Sequence, residues 1–118
     1  MPQVTPEQLR DRTKIFALRV VKLYRALPER KDAQVIGHQL LRSATSIGAN
    51  YRAACRSRSR AEFVSKLGIV VEEADETMYW LELLCESGII GSGRLEDLQQ
   101  EAKELTAIFT ASRHSAKR

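Results

Sequence analysis

Apolar residues spaced three and four apart, in four stretches separated by short breaks, constrain this chain more than any other feature. The first stretch holds Leu9, Phe16, Val20, Leu23 and Leu27, and the second Ile36, Leu40, Ala44, Ile47, Tyr51 and Cys55. The third holds Phe63, Leu67, Val70, Val71, Ala74, Met78, Leu81 and Cys85. The fourth holds Leu95, Leu98, Ala102, Leu105, Ile108 and Phe109. Such steps put side chains on one side of an α-helix, whose period is ~3.6 residues. No stretch alternates apolar with polar between hairpin turns, as a half-buried strand would. The fold class is all-α. The three connections are short, which favours antiparallel neighbours in an up-down-up-down four-helix bundle.

The residues between the stretches agree with this division. Thr5, Pro6 and Gln8 form a capping box with a proline start for the first helix. Pro28 ends that helix, since proline cannot continue the hydrogen-bond ladder. Asp32 is the expected cap of the second helix, and Ser59 with Glu62 gives a second capping box for the third. Gly88 supplies the left-handed position that stops the third, and the fourth starts near Ser92 or Gly93. After Ser112 the apolar pattern ends, so residues 113–118 read as a frayed basic tail on a single domain spanning 1–118. Ile15, Leu18 and Val21 widen the first stripe, which predicts that this helix touches more than one neighbour.

Charge is distributed unevenly. The net charge of +4 is mild, yet no acidic residue lies between Asp32 and Glu62, where Arg42, Arg52, Arg56, Arg58 and Arg60 all fall. Lys66 follows closely. Guanidinium groups bind phosphates bidentately and stack on bases, so these six side chains are candidate nucleic-acid contacts. Arg52, Arg56 and Arg60 share a face if the helix continues through them, while Arg58 sits in the connection before Ser59. The next helix is acidic, with Glu72, Glu73, Asp75, Glu76, Glu82 and Glu86. Two readings of the arginines therefore stand side by side: phosphate binding, or pairing with the third helix.

The centre of the second helix, Ser43 to Ala49, is almost free of bulk. Glycine inside a helix costs about 1 kcal/mol relative to alanine, so Gly48 predicts the close approach of another helix. Asn50 predicts a hydrogen bond across helices that fixes register. Tyr79 and Trp80 lie on adjacent faces of the third helix, and either could anchor a neighbouring subunit.

Catalytic chemistry finds no set of residues to work with. There is no Walker loop, GxGxxG, HExxH or GxSxG. A di-iron bundle needs Glu-x-x-His pairs, but Val35 and Ala111 stand three residues before His38 and His114. No nucleophile, base and stabiliser can be assembled, so the expectation is a protein that is not an enzyme and has no metal or cofactor. Cys55 and Cys85 sit in apolar helical patterns, where a reduced cysteine behaves as a small buried hydrophobe. The opening MPQVTPEQL lacks the basic-then-apolar order of a leader, and no run approaches the ~20 apolar residues of a membrane span. The expected compartment is the cytoplasm, with no membrane partner.

The run Ser46-Ile47-Gly48-Ala49-Asn50-Tyr51-Arg52, then Arg56-Ser57-Arg58-Ser59 and Glu62-Phe63, resembles the signature of the four-helix-bundle protein family. These are also known as the ribosomal RNA intervening-sequence proteins, because some are encoded in insertions within bacterial 23S ribosomal RNA genes. Leu67-Gly68-Ile69, Glu72 to Thr77 and Tyr79 to Leu84 extend the likeness across nearly the whole chain. The resemblance implies an antiparallel bundle assembled as a homopentamer, with no established catalytic activity. From the residues themselves, Gly48, Asn50, Tyr51, Tyr79 and Trp80 are the structural or interface positions. More distantly similar are the pentameric accessory proteins of diversity-generating retroelements, which pair with a reverse transcriptase. Many family members carry a proline where Gly48 stands and a glutamate and glycine where Ala53 and Ala54 stand. Losing that glutamate makes the middle of this chain more basic. The resulting expectation is a non-enzymatic oligomer that binds RNA or DNA through an arginine surface. The alternative is a protein-interaction scaffold whose arginines serve subunit assembly or dock a partner such as a reverse transcriptase.

Overall fold

The three- and four-residue steps become four long helices in the computed structural model, which describes residues 4–118. Residues 1–3, the start of the segment read above for a leader, lie outside the described residues. The helices are α1 (Pro6–Arg25), α2 (Lys31–Cys55), α3 (Arg60–Glu86) and α4 (Ser92–Ala116). Among the described residues there is no strand, and no helix is long and apolar enough to cross a membrane.

Each helix buries one narrow stripe. On α1 it is Leu9, Thr13, Phe16, Val20 and Leu23, and on α4 Leu95, Leu98, Ala102, Leu105 and Phe109. On α3 it is Leu67, Val70, Ala74, Thr77, Leu81 and Leu84. Alternating steps of three and four are the a and d positions of a coiled-coil seam, the packing that left-handed four-helix bundles use. Phe16, Phe109, Leu40 and Ile47 are among the largest fully buried side chains. Burying a side chain of that kind stabilises the fold by roughly 1.5–3 kcal/mol.

Register shows that the neighbours are antiparallel. Arg12, in the first half of α1, meets Glu101 near the middle of α4, while Leu23 and Ala26, at the end of α1 and just beyond it, face Arg94 and Leu98 near the start of α4. Ser43 of α2 meets Thr77 of α3, and Met78 of α3 meets Thr106 of α4. Helix α1 packs on α2 and α4, and α3 on α2 and α4, so the four form a closed ring. The bundle is 45 Å long and 28 by 20 Å across.

The helix ends follow local chemistry, with departures. Thr5 and Gln8 make the expected reciprocal cap, with Thr5 Oγ1 accepting from the Gln8 N–H at 3.1 Å. Ser59 caps α3 in the same way, but the Glu62 side chain turns to the Arg58 N–H and to Lys66, so the box is half made. Gly88 stops α3 with φ of +78°. Asp32 does not cap α2: the cap falls two residues earlier, at Arg30, which makes no side-chain capping bond. The Asp32 carboxylate instead pairs with Arg30 and accepts from the Ala33 N–H. The tail also differs from expectation, because α4 runs on to Ala116. There Arg113 lies across Gly68 and donates to the Val64 carbonyl at 3.2 Å, a tertiary contact that holds the last turns on α3.

Candidate nucleic-acid interface

The bulk-free segment of α2 is where α1 comes closest. A Cβ placed on Gly48 would lie 3.1 Å from Thr13 Oγ1 and 3.3 Å from Thr13 Cβ, so glycine permits the approach. Beside this contact the small side chains of Thr13, Ala17, Thr45, Gly48 and Ala49 floor a groove of about 470 Å³. Its rim carries Arg10 and Lys14 from α1 and Arg52 from α2, with one acid, Asp11. None of the three cations makes an ion pair among the described residues. Three positive charges without paired carboxylates make the groove attractive to a polyanion.

The six cations singled out from sequence meet different fates. Arg52 stands on the groove rim. Arg56 closes α2, and Arg58 lies in the connection beyond it; both are exposed and unpaired among the described residues. Between them Ser57 turns inward, its hydroxyl buried. Arg42 is held by α3: one guanidinium nitrogen pairs with Glu73 at 3.3 Å and another with Glu76. Lys66 pairs with Glu62 at 3.2 Å, one turn back on its own helix. Arg60 opens α3 and donates to the Arg118 carbonyl at 2.6 Å, so the helix does not carry Arg52, Arg56 and Arg60 along one face. The chain reverses between them. Because α1 and α3 start where α2 and α4 finish, Arg10, Arg52, Arg56, Arg58 and Arg60 nevertheless gather toward one end of the bundle.

Arg10 and Lys14 carry no arginine-cluster signature and escape a reading that looks only at residues 42–66. Their signal is weaker: two like charges at i and i+4 flank Thr13 on the α1 side of the Gly48 contact. It becomes legible only when α1 is placed against Gly48.

The remaining candidate positions are Asn50, Tyr51, Tyr79 and Trp80. Asn50 is half-buried and donates to the Ser46 carbonyl of its own helix at 2.8 Å, so the expected bond across helices is not made. Tyr51 is buried in the core, its ring 5.0 Å from that of Phe109. Burial pushes the Tyr51 phenol far above its usual range, while nearby Arg10 pulls weakly the other way. Tyr79 is 53% exposed and meets Trp80 edge to face. The Trp80 indole is half-buried and donates to Glu76 Oε2, the same oxygen that takes Arg42.

Glu62 and Arg12 are the charged groups whose ionisation the fold visibly biases. Hydrogen bonding from Lys66, then from the Arg58 N–H, holds the Glu62 carboxyl below its ordinary range. Arg12 is raised, first by its bond to Glu101, which its guanidinium meets with two nitrogens at 2.5 and 3.1 Å. That fork ties α1 to α4 and pairs the Arg12 guanidinium with a carboxylate.

Comparison with known proteins agrees with the four-helix fold. The family model described as 23S rRNA-intervening sequence protein matches residues 8–111. A crystal structure of a protein with unknown function, from the S23 ribosomal protein family of Bacteroides thetaiotaomicron, superposes with a TM-score of 0.86. It shares 38% identity, and the match covers 92% of this chain and 97% of that one. Among curated proteins none matches.

Proposed function

The chain belongs to the 23S rRNA-intervening sequence protein family, and on that premise we propose that it is a non-enzymatic, oligomeric helical bundle that binds nucleic acid through its basic groove and the adjoining end. The observation that carries this reading is the rim of Arg10, Lys14 and Arg52, continued by Arg56 and Arg58, with no ion pair among the described residues. The family description refers to a sequence intervening in 23S rRNA and the structural neighbour's to a ribosomal protein family, so RNA is the first polyanion to test. Arg42 and Lys66 remain supporting positions, since carboxylates already occupy them, and Arg60 joins them because it is engaged by the Arg118 carbonyl. A homopentamer is the assembly that the resemblance implies.

Each phosphate neutralised releases counterions, so affinity should fall steeply between about 50 and about 200 mM salt. A gel-shift titration across that range tests the reading. Replacing Arg52 and Arg56 by alanine should weaken binding and make the salt dependence shallower by about 0.9 per arginine. Absence of binding at low salt, or indifference to the double variant, overturns it.

The scaffold reading also has an observation in its favour. Ile15 and Leu18 stand 57% and 59% exposed on the side of α1 away from the core, beyond what a solitary bundle needs. Under that reading, Arg56→Glu changes the oligomer mass in light scattering and leaves RNA affinity alone.

A further inference from the structure

Building on the nucleic-acid reading, we infer that the α1–α2 groove takes the sugar-phosphate backbone of a duplex and leaves the bases untouched. The inference starts from what the floor does not offer. Thr13 Oγ1 already donates to the Leu9 and Arg10 carbonyls, at 2.9 and 3.0 Å. Thr45 Oγ1 likewise turns back to Leu41 and Arg42, at 2.8 and 3.1 Å. The other floor residues are alanine and glycine. The floor therefore presents no free side-chain donor to a base edge, and the donors that remain, Arg10, Lys14 and Arg52, stand on the rims, where they meet phosphates on either side of it.

Aromatic platforms are missing from the groove as well. Its lining contains no Tyr, Trp or Phe. Tyr51, the aromatic nearest to Arg52 in sequence, is buried against Phe109. Proteins that hold single strands combine a basic track with aromatic rings on which bases stack. A duplex needs no such ring, because its bases already stack on one another and its outer surface is phosphate. Cations on both rims and a smooth floor suit that surface. Arg10 and Lys14 stand one helical turn apart on one wall, about 6 Å along the axis, and Arg52 stands on the other. Asp11 opposes binding and marks the site's limit.

The experiment is fluorescence polarisation on the full chain, with a labelled RNA duplex of about 20 base pairs and each of its single strands, in two unrelated sequences. The duplex should bind equally in both sequences. The single strand should bind about fivefold more weakly at about 50 mM salt, because its lower charge density releases fewer counterions over about three phosphate contacts and the groove offers no ring to make up the loss. Lys14→Ala and Arg52→Ala, both at exposed positions that leave the fold intact by circular dichroism, should each make the salt dependence shallower by about 0.9. Asp11→Asn should tighten duplex binding. If single strands bind as tightly as the duplex, or if neither alanine variant alters the salt dependence, the duplex inference falls while nucleic-acid binding stands. If neither form binds at about 50 mM salt, nucleic-acid binding itself falls and takes the inference with it.

Discussion

Helix α2 has two seams, and the same residue type behaves differently on each. Toward α3 the seam is broad and carries polar contacts across it. Ser43 and Thr77 share a buried hydrogen bond of 2.9 Å, and Arg42 is gripped by Glu73 and Glu76, with Trp80 donating to the latter. Toward α1 the seam is tight at Gly48 but its flanks are bare, and Arg52 faces Arg10 and Lys14 with no paired carboxylate. Arginine becomes a structural clamp where the opposing helix offers acids, and an available cation where it offers small residues and more base. What a helix's own sequence contains does not decide this. The neighbour does.

The largest test of the contrast is Gly48→Leu. A leucine there must displace Thr13 and fills the groove floor, and overpacking of this kind costs about 2 kcal/mol. Chemical denaturation should show that loss, and RNA binding should weaken as the groove is filled, leaving the contribution of Arg56 and Arg58. A variant as stable as the wild type would mean that the α1–α2 seam is loose, and the close-approach account of Gly48 would be wrong.

Next in size is an attempt to make the two seams alike. Ala49→Glu sets a carboxylate in the groove, one turn from Arg52 on α2. It should cancel about one phosphate contact and lower affinity by about eightfold at 0.1 M salt, with stability unchanged. Equal affinity for wild type and variant would remove the groove from the binding surface.

These two tests also mark where the sequence was sufficient. The buried stripes and the Thr5 and Gly88 boundaries depend on local periodicity and backbone preference, so they could be read directly. Gly48 was legible too, because a helical glycine asks for a close neighbour. What escaped depends on pairs far apart in the chain. Arg113 extends α4 only because Val64 and Gly68 receive it, and Arg10 joins Arg52 only because α1 docks where α2 has no bulk. Asn50 turned to its own helix, at Ser46, since a carbonyl one turn back was within reach. The two readings of the arginine run divided within the run itself: Arg42 found its acids on α3, whereas Arg52, Arg56 and Arg58 did not.

Arg42→Ala addresses the α2–α3 seam from the charge side. Its side chain is 45% exposed, so screening reduces the ion pairs to about 0.5 kcal/mol in total. The loss should shrink in high salt, and RNA affinity should barely change. A drop in affinity as large as that of Arg52→Ala would erase the distinction between clamp and available cation.

The smallest effect belongs to Glu62, whose pair with Lys66 lies within one helix and bridges neither seam. Its carboxyl is held below the ordinary value of 4.5, first by Lys66 and then by the Arg58 N–H. A carboxyl depressed on folding adds stability that is present above its unfolded pKa and is lost as pH falls through the folded one. Wild type and Glu62→Gln should therefore differ slightly near neutral pH and converge once the solution is acid enough to protonate Glu62 in the folded chain. The measurement is urea denaturation of both proteins from neutral pH downward. A difference that stays constant into acid would assign the effect to the side chain's packing rather than its charge, and Lys66 would then be as available to phosphate as Arg52.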